Sequence, residues 1–137
     1  MIAPKNFLTI FIATIAVSIV IILNPFPNDD FDFSHFTFDA VYLKDENSIK
    51  ITFSDTTNKS SFAVLEILGM ETTYHEEFEI TDSKFSKFVP LETVPKYGWK
   101  TTPVTLEITY DNSIVKMKTE VHEEEQNSPT VIFGLDD

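Results

Sequence analysis

The chain has 137 residues, 42% of them hydrophobic and 13% aromatic, and its ten lysines against 22 acidic residues give a formal net charge of −12. With no arginine it lacks a bidentate phosphate reader, and a charge of this sign repels polyanions, so nucleic acid is excluded as a partner. With no cysteine it has no disulfide, thiolate nucleophile or thiolate metal ligand.

The first organised stretch runs from Phe7 to Leu23. It contains no charge, Gly or Pro, and its only polar side chains are two threonines and a serine, whose hydroxyls can bond back to carbonyls of their own helix. Seventeen such residues make a helix of about 25 Å, close to a hydrocarbon core of ~30 Å. The spacing predicts a transmembrane helix within residues 1–24, with Ile2, Ala3, Phe26 and local bilayer thinning covering the shortfall. Lys5 and the α-amino group precede it, whereas Asp29, Asp30 and Asp32 follow it with no base before Lys44. That asymmetry places the N-terminus inside and the remainder outside, as a single-pass protein of the plasma membrane. A cleaved signal peptide is the rival reading. Cutting after Ala16-Val17-Ser18 would, however, leave Ile19 to Leu23 as an apolar new terminus.

Residues 25–35 read as an extended neck rich in Pro and Asp. From residue 36 the hydrophobic period becomes two. Phe36, Phe38, Ala40 and Tyr42 share one face, and Ile49, Ile51 and Phe53 another. Phe31 and Phe33 are in the opposite phase, which predicts a break near Ser34-His35. The run 62–68 is apolar on both faces apart from Glu66 and reads as a central strand. Next, Tyr74, Phe78 and Ile80 alternate with His75, Glu77 and Glu79, and a shorter strand is expected over 85–91. Residues 91–103, with Pro95, Gly98 and Pro103, form the longest irregular connection. The last pair, 104–110 and 115–121, reads as a hairpin with Glu107, Lys116, Lys118 and Glu120 on its wet face, where they are placed to form cross-strand charge pairs.

Seven strands over 36–121 and no soluble helix predict an all-β antiparallel sandwich. Strand count, size and the closing hairpin resemble immunoglobulin-like or fibronectin-III-like surface modules. The resemblance is architectural: the cysteine pair is missing, Trp99 lies too late to be the strand-C tryptophan, and no site residue carries over. Residues 122–137 read as an acidic hinge and a short apolar segment.

Several stretches could carry chemistry. Asn28-Asp29-Asp30-Phe31-Asp32 offers oxygens to calcium but lacks the Gly turn and distal Glu of an EF-hand loop. His75, Glu77 and His122 are candidate metal ligands; with Met70 and Met117 the histidines could make a copper site, although none has ligand spacing to another. No nucleophile elbow is present. Asn58-Lys59-Ser60 is a glycosylation sequon in an expected loop. Tyr97 and Trp99, flanking Gly98, form either an exposed binding loop or, through Trp99, a plug for the end of the sandwich. Val131, Ile132 and Phe133 form either a further strand of the domain's own sheet or a segment lying along a partner's sheet. The expectation is a non-enzymatic, cofactor-free surface module that contacts other membrane or surface proteins as an accessory subunit or envelope component. The alternative is an extracytoplasmic domain that binds copper, calcium or another ligand.

Overall fold

A computed structural model describes residues 31–136 of the chain. The chain divides into two compact units, Met1–Asp32 and Phe33–Asp137. The segment from Phe7 to Leu23 and the acidic residues Asn28, Asp29 and Asp30 lie outside the described residues. Among the described residues no helix is long and apolar enough to cross a membrane.

The second unit is built from nine strands: β1 (Phe36–Leu43), β2 (Ser48–Asp55), β3 (Ser60–Ile67), β4 (Tyr74–Glu79), β5 (Lys84–Pro90), β6 (Pro103–Tyr110), β7 (Ser113–Glu120), β8 (His122–Glu123) and β9 (Ile132–Asp136). They form a four-stranded sheet ordered β5-β2-β1-β8 and a five-stranded sheet ordered β4-β3-β6-β7-β9. Every pairing is antiparallel except the short β1–β8 contact, which is parallel. The phase break expected near Ser34-His35 is a 3₁₀ turn, Phe33–His35, leading into β1.

Alternation sets the core. Phe36, Phe38, Ala40, Ile49, Ile51 and Phe53 from one sheet meet Ala63, Leu65, Ile67, Val104, Leu106, Ile108, Val115 and Met117 from the other, all buried. Branched and aromatic residues fit this pleated, two-layer interior, and each fully buried Val, Leu, Ile, Phe or Met side chain contributes about 1.5–3 kcal/mol of transfer free energy. The expected central strand, β3, lies between β4 and β6 with Ala63, Leu65 and Ile67 inward.

The C-terminal residues differ from an expectation that the sandwich ends at 121. His122 and Glu123 pair with Val41 and Tyr42 of β1. Of the two placements open to the apolar tail, the structure has it in the domain's own sheet, with Phe133 opposite Met117 and Leu135 opposite Val115. Both inward side chains find apolar company there, and the Phe133 ring also stacks on Phe33 at 5.1 Å. The hairpin charges differ as well. Lys116 sits opposite Glu107, but its shortest ion pair, 2.7 Å, is to Asp136 of β9. Glu120 falls opposite Pro103 and Lys118 opposite Thr105, so neither has an acid–base partner directly across the β6–β7 ladder.

Candidate functional site

The β5–β6 connection is the longest loop among the described residues, and it is pinned at several points. Gly69, at the end of β3, has φ +80, and a Cβ there would lie 2.0 Å from the Thr101 carbonyl oxygen. The two loops therefore approach as closely as backbone allows, which only glycine permits. Trp99 opens a 3₁₀ turn, Trp99–Thr101, and its indole lies against Tyr42 with ring centroids 4.9 Å apart. Thr102 is fully buried; its amide donates to the Trp99 carbonyl at 3.0 Å. Leu91 donates to the Asn47 carbonyl at 3.0 Å and accepts from the Asn47 side-chain amide at 2.8 Å, tying the loop's start to the β1–β2 turn.

The two aromatics that flank Gly98 point different ways. Trp99 is half-buried on Tyr42, whereas Tyr97 projects with 77% of its surface exposed. Val94 in the same loop is also exposed. Beside this loop a cleft of about 580 Å³ is bounded by Trp99, Glu120, His122, Glu123 and Glu125.

His122 is 6% exposed. Its Nε2 lies 2.8 Å from Asp39 Oδ1 and its Nδ1 lies 2.8 Å from the Glu123 carbonyl oxygen. Both ring nitrogens are engaged by the protein, so neither presents a free lone pair to a metal. What the residue does is tie β8 to β1.

His75 lies half-exposed on the outer face of β4, its Nδ1 3.7 Å from Glu66 and its Nε2 3.4 Å from Glu77. The two carboxylates flank opposite ring nitrogens and share no common point for an ion. His35, on the 3₁₀ turn before β1, is 3.0 Å from the Thr56 hydroxyl. The three histidines thus occupy three different elements, and Met117 is buried in the core. Among the described residues no three His, Asp or Glu side chains are placed to hold a metal ion.

Asn58 is exposed at the β2–β3 turn with φ 56, and Ser60 of the same sequon donates its hydroxyl to Asp55 at 2.7 Å. Asp55 itself was not singled out by sequence. It is 1% exposed and organises this turn: Oδ1 accepts from the Thr57 amide and hydroxyl at 2.9 and 2.6 Å. Oδ2 accepts from the Lys59 and Ser60 amides, both at 3.0 Å, and from the Ser60 hydroxyl. Burial raises its pKa, but the bonds from Thr57, Ser60 and Lys59 outweigh that and hold the carboxyl below its ordinary value. Thr57 relays the network to the Tyr110 hydroxyl at 2.9 Å. The visible signal was the pattern Asp-Thr-Thr-Asn-Lys-Ser, in which a short acid is followed by donors two to five residues on.

A second polar group sits where the edge strands of the two sheets face each other. Glu76 of β4 and Lys87 of β5 both sit on the inward phase of their strands and meet at 3.1 Å. Tyr74 donates its hydroxyl to Glu76, and the Lys87 ammonium lies 4.3 Å from the Phe78 ring centroid. Burial, then the bond to Glu76, pushes the Tyr74 phenol up to about 12. The bond from Tyr74, then the contacts of Lys87, holds Glu76 below its usual range against a smaller opposing effect of burial.

Searches against protein-family models, curated proteins and solved structures return no match to this chain. The functional reading accordingly rests on the residues themselves.

Proposed function

We propose that the chain is a non-enzymatic, membrane-tethered surface module: an immunoglobulin-like β-sandwich held by the apolar segment Phe7–Leu23, N-terminus inside, whose β5–β6 loop makes protein contacts. It serves as an accessory subunit of a membrane complex or a component of the envelope. The observation that carries this reading is Tyr97. A ring 77% exposed to water is held out on a loop fixed by Trp99, Gly69 and Asn47. Aromatic side chains displayed on pre-organised backbone anchor interfaces at little entropic cost, because the loop is already ordered before the partner arrives. The acidic balance of the chain supports a partner whose contacting surface is basic.

The test is the size and composition of the particle that carries the full chain after gentle solubilisation of native membranes. Co-migration with a fixed set of proteins, lost in Tyr97→Ala, supports the reading. A particle that holds only copies of this chain, or one unaffected by Tyr97→Ala, overturns it.

A further inference from the structure

The two sheets have four edges, and three carry recognised barriers to strand addition. The β4 edge has Glu76 on its inward phase and a polar outer row of His75, Glu77 and Glu79. The β5 edge has Lys87 on its inward phase, Lys84 at its start and Pro90 at its end. The β8 edge is two residues long and runs into three successive glutamates. Inward charges, proline and shortness are the devices that stop sheets from growing. The fourth edge, β9, has none of them. Its sequence is Ile-Phe-Gly-Leu-Asp, with Ile132 65% exposed. Among the described residues no backbone hydrogen bond reaches the far side of this strand.

We infer that β9 pairs with β9 of a second copy of this chain, antiparallel about a two-fold axis at Gly134, joining the two five-stranded sheets into one of ten strands. The inference does not depend on the partner contacts proposed above; only its test in membranes rests on the proposed tethering. An axis at Gly134 is the register that pairs all five residues of the strand. It places Phe133 opposite Leu135 of the second copy on the inward phase, twice over. On the outer phase Asp136 meets Ile132 of the second copy, whose other neighbour is that copy's Lys118, so no like charges are opposed within the pair. Glycine meets glycine on the axis, and a closed two-fold pairing consumes the open edge. Net charge works against it, since each copy carries −12. Screening lengths of about 8 Å at physiological salt confine that repulsion to near neighbours. The dimer therefore tightens as salt rises, whereas a basic segment bound at the same edge would be released.

The absence of cysteine makes the test direct. In the full chain, Gly134→Cys puts a thiol on the axis. Directly opposed residues of an antiparallel pair have Cα atoms about 4.5 or 5.5 Å apart, and both fall within the ~4.4–6.8 Å that a disulfide spans. The site tolerates a side chain, since an added Cβ would lie 3.9 Å from Lys116 Cβ. Mild oxidation of native membranes and of detergent-solubilised protein should link Gly134→Cys into a dimer. Ile132→Cys should not link to itself, because its counterpart lies four residues along, about 13 Å away. Light scattering should give the wild-type micelle twice the protein mass of Gly134→Lys. That variant opposes two ammonium groups at the axis and should weaken pairing roughly tenfold or more. No crosslink at residue 134, equal crosslinking at 132 and 134, a wild-type mass of one chain at all salt concentrations, or a dimer untouched by Gly134→Lys would each overturn the inference.

Discussion

Replacing Asp55 by Asn tests whether one buried carboxylate organises the β2–β3 turn. The change keeps volume and removes charge, so packing is constant and only the hydrogen bonds are altered. Five donor contacts converge on the carboxylate, three from amides and two from hydroxyls. An amide group has one acceptor and one donor end. With its nitrogen toward Oδ2's partners it strands the Lys59 and Ser60 amides; with its nitrogen toward Thr57 it strands only one amide, and the Thr57 hydroxyl can turn to accept. The second orientation wins, and one stranded buried amide costs about 1–3 kcal/mol. Losing the extra strength of the surviving charge-assisted bonds brings the expected loss for Asp55→Asn to about 2 kcal/mol at pH 7. Asp55→Ala, which strands all three amides, should cost about 4 kcal/mol. Urea unfolding followed by the fluorescence of the single tryptophan reads both. The pH dependence adds a sign. The folded carboxyl is held below its ordinary 3.8, so its contribution is complete above that value and is lost as pH falls toward the folded pKa. The gap between wild type and Asp55→Asn should therefore narrow below about pH 4. An Asn variant within ~0.5 kcal/mol of wild type at pH 7, the range of an ordinary surface change, or a gap that widens in acid, would refute the account.

Other outcomes follow from the same geometry. Gly69→Ala forces a left-handed residue and drives a methyl into the Thr101 carbonyl, and should lower stability by about 3–5 kcal/mol. Gly98→Ala, at φ +84 but facing open space, should cost only about 1–2 kcal/mol, both variants being read by urea unfolding. Spectrophotometric titration should show one of the four tyrosines ionising last, near pH 12, and Glu76→Gln should bring that step down. Tyr97→Ala should leave stability within ~0.5 kcal/mol while Trp99→Ala, stripping the cover from Tyr42, costs about 2–3 kcal/mol by urea unfolding followed by circular dichroism, since that variant has no tryptophan. Elemental analysis of the purified full chain should find no stoichiometric copper, unchanged in His75→Gln, because the Glu66 and Glu77 carboxylates flank opposite nitrogens of His75 and both ring nitrogens of His122 are engaged.

Strands were legible where one face is buried and the other wet. Val104, Leu106 and Ile108 alternating with Thr105, Glu107 and Thr109 can be satisfied only by a two-faced sheet, and β6 and β7 follow. Polar residues on inward phases were not legible. Glu76 and Lys87 stand in the core phase of their strands, and only the meeting of two sheet edges makes them partners. Nor did local pattern show that Asp39 and His122, 83 residues apart, would touch. The same holds for His75 and Glu66, which are neighbours only through the register of β3 and β4. Sequence left open whether Trp99 is displayed with Tyr97 or plugs the end of the sandwich, because it gives spacing and no direction. The close approach at Gly69 and the packing on Tyr42 send Trp99 in and leave Tyr97 out. The tail was ambiguous for a plainer reason: an apolar strand of five residues fits any open edge, and strand pairing carries no address in local sequence.

The parallel contact between β1 and β8 has a consequence for biosynthesis. Val41 finds His122 only after 81 further residues have been made. At roughly 5–20 residues per second, β1 emerges about 4–16 s before its outer neighbour exists, with an apolar face and one unpaired edge already formed. During that interval neither sheet has its outer strand, β8 or β9. β8 and β9, which follow all the other strands in the order of synthesis, are the outer strands of the two sheets, so closure of the domain waits for residues 122–136.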